Sequence, residues 1–283
     1  MPPPRLAIIG CGAAGAFCGA LLREKAPDWD ISFFEAGKRP LAKLALTGGV
    51  RDLSLLSALD LHTVPPVPSL FTFETDSPLR SLSGTSVPVS LALAGTSFRA
   101  SGALLITDWG FSGPAALKLS SYAARHLAEN SYRATLLVDW LGIGVSETRS
   151  FLADCAKGQG AKLLASVHPI PSRLWLFLLD KAGFSRETRW KDLSDSALNR
   201  LTACLASDTY PITGKGRFKE EFVTCGGVAL EEINPATMES RKHPGLYFAG
   251  EVLDVDAVTG GFNLQAAWST AFLCAEALGN LAN

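Results

Sequence analysis

Several classes of protein are disfavoured by what this sequence lacks. Its 26 basic and 27 acidic residues leave a formal net charge of −1, so neither nucleic acid nor an anionic membrane has an electrostatic reason to bind. Six cysteines and four histidines are dispersed without CxxC pairs, which gives no support to a metal site or a disulfide framework. No apolar run reaches the length of a membrane span, and the run before Cys11 is too short for a secretion signal. These absences predict a reduced, cytoplasmic protein with no metal, nucleic-acid partner or membrane partner.

The length and composition are those of a protein with a substantial core. With 283 residues the chain exceeds what one small domain needs, so we expect two or three domains. Hydrophobic residues make up 47% and charged residues 19% of the chain, which is ordinary for a folded globular protein. No feature of the sequence indicates the oligomeric state.

A glycine-rich turn follows the first apolar segment. Residues 6–9 are typical of a short buried strand and residues 13–25 of a helix. The turn between this strand and the helix, together with the first residues of the helix, has GxGxxG spacing. Its residues are Gly10, Gly12, Ala13, Ala14 and Gly15. In such a turn the first glycine permits the bend, the second leaves room for a pyrophosphate, and the third lets helix and strand pack. The N-terminus of the helix would offer N–H groups and a positive dipole to that anion.

An acidic residue completes this first motif. Residues 31–34 are typical of a second strand, and Glu35 follows it, 20 residues beyond Gly15. A carboxylate at this place accepts the hydroxyls of a ribose and disfavours a 2′-phosphate. The βαβ unit with its acid therefore predicts a dinucleotide site.

A second glycine motif lies near the other end of the chain. Residues 246–249 are typical of a strand that delivers residues 250–251 to the carboxyl edge of a sheet, where ligands bind in such folds. Residues 260–261, both glycine, lead into the apolar helix predicted over 264–278. A helix N-terminus aimed at a flavin ring would favour negative charge on it. A nicotinamide domain needs no such second element, so the two motifs predict one α/β domain closed around FAD by both chain ends.

The middle of the chain has a different pattern. From about residue 70 to 139, short apolar stretches alternate with Gly, Ser and Pro turns, as in an antiparallel β domain interrupted by a helix over 114–130. Residues 146–206 are typical of three helices. Residues 225–283 return to the character of the first domain.

Several segments resemble one bacterial flavoprotein family. The longest covers residues 237–269 and contains Gly-Glu at 250–251, Asp254 and Gly-Gly-Phe-Asn-Leu at 260–264. Residues 108–114 (Asp-Trp-Gly-Phe-Ser-Gly-Pro) and 223–228 (Val-Thr-Cys-Gly-Gly-Val) match two further motifs of the family. The stretch 39–49, which includes Lys43, resembles the segment that follows the ribose-binding acid in the family. The family is that of BaiN and aminoacetone oxidase, usually labelled NAD(P)/FAD-dependent oxidoreductases, and the resemblance touches nearly the whole chain.

The resemblance implies an α/β architecture in three parts. Residues 1–58 plus 225–283 would form a Rossmann-like FAD-binding domain from both chain ends. Residues 59–145 plus 207–224 would form an inserted β-barrel-like domain, and residues 146–206 a small helical domain. The backbone around 250–251 would meet the pyrophosphate and ribityl chain of FAD, and residues 261–264 would lie along the isoalloxazine.

The predicted cofactor site draws on both motifs. The residues expected to bind FAD are Gly10, Gly12, Ala13, Ala14, Gly15, Glu35, Lys43, Gly250, Glu251, Asp254, Gly260, Gly261, Phe262, Asn263 and Leu264. No pair of side chains has the character of a catalytic acid and base. Because no second GxGxxG with a following acid exists, any NAD(P)H would dock transiently over the flavin.

The chain departs from the family after residue 51. Members of the family have a long segment there that completes the FAD domain, whereas here residues 48–52 run almost directly into 59–65. Asp52 and Leu53 replace the usual Cys-Asn pair. A shortened chain of this kind could be a non-catalytic member that acts as a binding or interaction module.

The sequence thus predicts an FAD-dependent oxidoreductase that acts on a small organic substrate or NAD(P)H through flavin N5. The non-catalytic module is the alternative from another class. A third interpretation, an NAD-binding dehydrogenase that uses the first turn alone, leaves the C-terminal motif unexplained. No residue pattern specifies the substrate.

Overall fold

Two units make up the chain in the computed structural model, which describes residues 2–41, 54–216 and 223–282. We call Met1–Ser69 with Phe218–Asn283 the terminal unit, and Leu70–Arg217 the middle unit. Both ends of the chain therefore belong to one unit, and the other is inserted between them.

Helices and strands follow the predicted order along the described chain. The first half contains β1 (Arg5–Ile9), α1 (Ala13–Lys25), β2 (Asp30–Phe34), β3 (Thr63–Ser69), β4 (Phe73–Glu74), β5 (Ser86–Leu93), β6 (Arg99–Ile106), β7 (Gly110–Ser112), α2 (Pro114–Tyr122), α3 (Ala124–Glu129) and β8 (Ala134–Asp139). The second half contains α4 (Val145–Gly158), α5 (Ser172–Lys181), α6 (Asp195–Ala206), β9 (Asp208–Ile212), β10 (Gly214–Lys215), β11 (Val223–Val228) and α7 (Phe262–Asn280). The mixed α/β character that the sequence predicts is confirmed.

The terminal unit begins with the predicted βαβ arrangement. Strands β1 and β2 pair in parallel, with Ile8 opposite Phe33. Helix α1 packs so closely on this sheet that a Cβ at Gly19 would lie 2.2 Å from the Phe33 ring. On alternate positions, which face the other way in a strand, Ile9 and Phe34 are 71% and 57% exposed. One face of the sheet is thus packed and the other is open.

The rest of the terminal unit packs around α1 and α7. Leu22 of α1 and Ala271 and Ala275 of α7 are fully buried in the core of this unit. Strands β3 and β11 form an antiparallel ribbon. At Gly227 of that ribbon a Cβ would lie 2.4 Å from the Val252 carbonyl oxygen, so the segment after Gly250 lies against it.

One predicted strand of the terminal unit takes another form. Residues 246–249 join no named strand and make only a bridge between Tyr247 and Glu239. Their backbone groups are satisfied by the preceding turn, since Ser240 N–H donates to Leu246 O (2.8 Å) and Phe248 N–H to Met238 O (2.9 Å). These local hydrogen bonds take the place of the strand pairing that the sequence predicts for residues 246–249.

The middle unit is built on a seven-stranded sheet in the order β10-β4-β7-β6-β5-β8-β9. All neighbouring strands are antiparallel. The first and last strands in that order, β10 and β9, are separated only by Thr213 in the chain, so the sheet curls back on one bent segment. Helices α4, α5 and α6 occupy the predicted helical stretch, whereas the helix predicted over 114–130 is interrupted at Ala123. A closed barrel stays a prediction.

Two further features concern the cysteines and the apolar character of the helices. All six cysteines fall within the described ranges, and none forms a disulfide. Within those same ranges, no helix combines the length and the apolar character needed to cross a membrane.

Candidate functional site

The first glycine turn lies between β1 and α1, and its glycines have separate roles. Gly10 has a φ of +93°, which favours glycine, and its N–H donates to Phe34 O at 2.7 Å. A Cβ at Gly15 would lie 2.0 Å from the Gly10 carbonyl oxygen, so no larger residue fits there. A Cβ at Gly12 would meet no heavy atom within 4 Å. Gly15 therefore serves packing, while Gly12 borders open space.

That open space is suited to an anion. Gly12 is the N-cap of α1, and the first amide to bond back is Ala16 N–H, which donates to Gly12 O at 3.0 Å. The N–H groups of Ala13, Ala14 and Gly15 in the first turn have no acceptor within the helix, as at every helix start. With the positive end of the helix dipole beside an open glycine, a pyrophosphate fits this turn.

Glu35 lies next to the same turn, as its sequence position predicts. Its Oε2 accepts a hydrogen bond from Cys11 N–H at 2.8 Å, and its Oε1 accepts one from Gly37 N–H at 2.7 Å. The side chain lies at an exposed position, where a carboxylate is able to accept a ribose hydroxyl. Contact of Glu35 with a ribose stays a prediction.

The stretch after Glu35 returns to the turn. Leu41 N–H donates to the Cys11 carbonyl at 2.8 Å. Lys43, the next predicted binding residue, lies outside the described residues, as do the glycines at 48–49 and the positions 52–53 where the chain departs from the family.

The second glycine motif meets the first at one close contact. Gly250 has a φ of +79°, and a Cβ there would lie 2.9 Å from the Cβ of Ala14 in the first turn of α1. Its N–H donates to Thr270 Oγ1 of α7 at 2.9 Å. Glu251 follows in the short 3-10 helix Gly250–Val252, and Asp254 N–H donates to Val228 O at 2.9 Å. Two motifs more than 200 residues apart in sequence are thus neighbours in space.

A loop then leads into α7 through two glycines. Gly260 and Gly261 have φ values of +120° and +84°, and a Cβ at Gly261 would meet nothing within 4 Å. Phe262, the first residue of α7, is 58% exposed. Leu264 is half-buried, and Asn263 exchanges hydrogen bonds with the backbone of Ala257. The positive end of α7 therefore opens beside an uncrowded glycine, as at α1.

Two of the four cysteines of this unit are buried and poorly suited to act as nucleophiles. Cys18 of α1 and Cys274 of α7 are both buried in the core between these helices. Burial raises the pKa of the Cys18 thiol to about 11 and that of Cys274 to about 12. His62 has Nδ1 2.6 Å from Glu231 Oε1 at the surface, which fits a local structural role.

Three residues that hold the motifs in place were missed by the sequence reasoning. Thr270 accepts the Gly250 N–H, Ala257 pairs with Asn263, and the hydroxyl of Ser69 donates to Asp256 Oδ2 at 2.9 Å. Ser69 is fully buried at the end of β3. The sequence feature that could have indicated Thr270 is a hydroxyl side chain within an otherwise apolar helix.

Comparison with known proteins agrees with the geometry. The family model described as "HI0933-like protein Rossmann domain" matches residues 53–277. The ribosomal RNA dihydrouridine synthase of Escherichia coli (strain K12) is 35% identical over 225 residues, which are 77% of this chain and 53% of that protein. The protein of the same name from Haemophilus influenzae is 35% identical over 219 residues, or 76% of this chain and 52% of that one.

A third relative is the 3-dehydro-bile acid delta(4,6)-reductase of Clostridium scindens, with 31% identity over 232 residues, 76% of this chain and 54% of that protein. The chain spans about half the length of the curated relatives it matches. The family match starts at residue 53, so the β1–α1–β2 unit lies before it and is supported by its own geometry. Because residues 53–277 are well over half of the chain, the protein belongs to the HI0933-like Rossmann-domain family, the flavoprotein group that its motifs resemble.

Proposed function

We propose that the chain binds FAD in the terminal unit and acts as a flavin-dependent oxidoreductase. The observation that carries this proposal is the close contact of Gly250 with Ala14, which joins the glycine motifs of both chain ends at the first turn of α1. When bound, the flavin supplies two-electron chemistry at N5, while the protein binds and orients it. The reacting partners are a small organic substrate and NAD(P)H.

Each motif has a definite task in this proposal. The first turn of α1 holds the pyrophosphate through its N–H groups, with Gly12 giving the close approach. Glu35 accepts the ribose hydroxyls, and Gly250, Glu251 and Asp254 follow the ribityl chain. The positive end of α7, from Gly261 to Leu264, favours negative charge beside it. Lys43 is proposed as a further contact from the family resemblance alone.

The finer organisation is part of the same proposal. We infer an FAD-binding Rossmann-like domain at 1–58 plus 225–283, a β-barrel-like domain at 59–145 plus 207–224 and a helical domain at 146–206. The return of the seven-stranded sheet on the bent segment of β9 and β10 supports the barrel-like form. The absence of disulfides among the six cysteines supports a reducing compartment such as the cytoplasm.

The names of the relatives favour the reducing direction. A dihydrouridine synthase and a delta(4,6)-reductase are both named for adding hydrogen to an organic compound. We therefore propose that this chain passes electrons from NAD(P)H to its substrate. The relatives are named for substrates as different as RNA and a bile acid, so the substrate must be screened. The net charge of −1 favours a small molecule over RNA.

The test compares two glycines that both tolerate a Cβ in the cofactor-free protein. At Gly12 the added methyl would enter the space proposed for the pyrophosphate, so Gly12→Ala should weaken FAD binding by about 10- to 100-fold, the equivalent of about 1–3 kcal/mol of overpacking. Gly158 at the end of α4 also has nothing within 4 Å of its Cβ, and Gly158→Ala should leave FAD binding unchanged. The measurements are the visible absorbance after FAD addition and desalting, and titration calorimetry.

The outcomes separate the proposals. Flavin bands near one FAD per chain that are lost with Gly12→Ala support the flavoprotein, whereas a wild-type protein that retains no FAD refutes it. Retention of NAD in place of FAD would favour a dehydrogenase that uses the first turn alone.

A second candidate function rests on the open face of the β1–β2 sheet. Parallel sheets are normally covered on both faces, yet Ile9 and Phe34 remain 71% and 57% exposed here. This exposure favours a non-catalytic family member whose sheet is covered by a second copy of the chain. Sedimentation analysis of a flavin-free wild type would then show association that Phe34→Ser removes, and a monomer at all concentrations would argue against self-association through this face.

A further inference from the structure

One side chain of α7 fixes the loop that precedes it. Asn263 is the second residue of the helix, and its carboxamide faces the backbone of Ala257. Its Oδ1 accepts a hydrogen bond from Ala257 N–H, and its Nδ2 donates one to Ala257 O, both at 2.8 Å. We propose that Asn263 is a positioning residue that forms the loop between Asp254 and Gly261 before FAD binds. This inference rests on the proposed function and replaces the expected contact of Asn263 with the flavin.

The paired hydrogen bonds fix direction as well as distance. A carboxamide carries one oxygen acceptor and two N–H donors, and here both ends of it engage one peptide residue. Such a pair holds the loop against rotation, which a single hydrogen bond would allow. One N–H and one lone pair of Oδ1 remain for other partners, so half of the hydrogen-bonding capacity of the side chain is committed to the loop.

Two other hydrogen bonds hold the loop, and both lie near its start. Asp254 N–H donates to Val228 O of β11 at 2.9 Å, and Asp256 accepts from Ser69 of β3 at 2.9 Å. Both anchors tie the start of the loop to the β3–β11 ribbon. The Asn263 side chain ties Ala257, in the middle of the loop, to α7, the element whose N-terminus the proposed function places beside the flavin. A loop already shaped for its ligand binds it more tightly, because less conformational freedom is lost on binding.

Two substitutions of similar size break this connection in different ways. In Asn263→Asp, one carboxylate oxygen can still accept from Ala257 N–H, but the other would face the Ala257 carbonyl and repel it. Asn263→Leu removes both hydrogen bonds. Gln265→Glu is the matched control, because it adds the same charge two positions along α7, where the Gln265 amide donates only to Ser269 Oγ in the described structure.

The first measurement uses the whole 283-residue chain without cofactor. Hydrogen exchange of the amides between 254 and 261 should become at least about tenfold faster in both Asn263 variants, which is the loss of about 1.4 kcal/mol expected for hydrogen bonds of this kind. Exchange in the buried part of α7, around Ala271 and Ala275, should stay protected and would show that the fold is intact. Gln265→Glu should exchange like the wild type.

The second measurement adds FAD to the same proteins. We expect the dissociation constant to rise about tenfold in the Asn263 variants, in step with the lost loop protection, and the visible spectrum of the residual bound flavin to shift. Weaker FAD binding with unchanged exchange in the cofactor-free protein would mean direct contact and would overturn the inference. Faster exchange with unchanged affinity and spectrum would overturn it equally. A wild type that binds no FAD defeats the proposed function itself, a result distinct from any difference among the variants.

Discussion

The middle unit buries most of its aromatic residues and exposes Tyr122 and Phe151, whereas the terminal unit leaves many of its own exposed. In the middle unit Trp140, Trp175, Trp190 and Tyr210 are at most 1% exposed. In the terminal unit Phe33, Phe34, Phe262, Trp268 and Phe272 are among the exposed large hydrophobic residues, with exposures of 39–58%. Two units of one chain thus differ in how completely they bury apolar surface.

The difference follows from the sheets that each unit provides. Seven strands and five helices, α2 to α6, give the middle unit a continuous core. The terminal unit has two separate two-stranded sheets in its described part, and sheets of that size are marginal unless other elements cover them. Some of its polar contacts lie at the glycine turns, and others join His62 to Glu231 and Glu232. The described part of the terminal unit therefore buries its apolar surface less completely than the middle unit does.

The largest effect is expected from Asp208, the buried acid of the middle unit. It accepts hydrogen bonds from Trp140 Nε1 at 2.9 Å and from the Tyr210 hydroxyl, and pairs with Lys181 Nζ at 2.5 Å. Burial, with the charge of Asp208 as the second cause, raises the pKa of Tyr210, so that hydroxyl remains a donor. Asp208→Ala should lower the free energy of unfolding by about 3–5 kcal/mol, because the buried donors of Trp140 and Tyr210 both lose their acceptor, whereas Lys181, 37% exposed, can turn to water.

Asp180→Ala on α5 is the control for this change. Asp180 pairs with Arg186 at the surface, with its side chain 54% exposed, so its loss should cost under about 1 kcal/mol. Chemical denaturation followed by tryptophan fluorescence measures both variants. Equal losses for the two aspartates would mean that the middle unit does not depend on this buried cluster.

Gly15→Ala should have the next largest effect, and in the terminal unit. The added Cβ would lie 2.0 Å from the Gly10 carbonyl oxygen, which forces strand β1 and helix α1 apart at about 3 kcal/mol. Hydrogen exchange of α1 in the cofactor-free protein measures the loss. Gly12→Ala, three residues earlier, should leave that exchange unchanged, since its Cβ meets nothing within 4 Å. If exchange of α1 becomes equally fast in both variants, Gly15 does not have a packing role that Gly12 lacks.

These glycines also show how far the sequence could lead. The spacing of Gly10, Gly12 and Gly15 predicted β1, α1 and β2 within a residue, because local turn chemistry dictates them. The place of Glu35 beside the turn followed from the same motif.

Contacts between distant segments were not predictable in the same way. The bond from Gly250 N–H to Thr270 depends on how the C-terminal loop folds back on α7, and no local pattern specifies it. The strand expected over 246–249 failed for the related reason that residues 238–240 satisfy its backbone first. Sequence pattern thus predicted the elements, while tertiary hydrogen bonds decided how the second motif is held.

Thr270→Val should have a moderate effect that the matching change in the middle unit lacks. Thr270 Oγ1 accepts from Gly250 N–H and donates to Ala266 O, so valine leaves the Gly250 amide without its acceptor, at about 1–2 kcal/mol. Thr202 of α6 makes the same bond to the carbonyl four residues earlier, Leu198 O at 2.8 Å. Thr202→Val should therefore cost less. Exchange of the Gly250 amide, together with the unfolding midpoints, tests the difference, and a larger loss at Thr202 would contradict it.

The smallest effect is a pH dependence from Glu232, an acid of the terminal unit. Its Oε1 accepts from His62 N–H at 3.0 Å and lies 3.1 Å from Lys242 Nζ, so it connects segments 170 residues apart. The hydrogen bond from His62 N–H is the main cause that lowers the pKa of Glu232, with Lys242 adding to it. A carboxyl whose pKa is lower in the folded state stabilises the protein above its unfolded pKa of about 4.3, and that gain is lost as the pH falls through the folded pKa.

Glu232→Gln should therefore be less stable than the wild type at pH 7, and the gap should close below about pH 4. Glu231→Gln, at the more exposed neighbour that contacts His62 Nδ1, should show little gap at pH 7. Denaturant midpoints between pH 3 and 8 measure both. A gap that persists at pH 3 would mean that shape rather than charge makes Glu232 important. A closing gap would show that the terminal unit, with less apolar surface buried than the middle unit, depends on ionised contacts between distant segments.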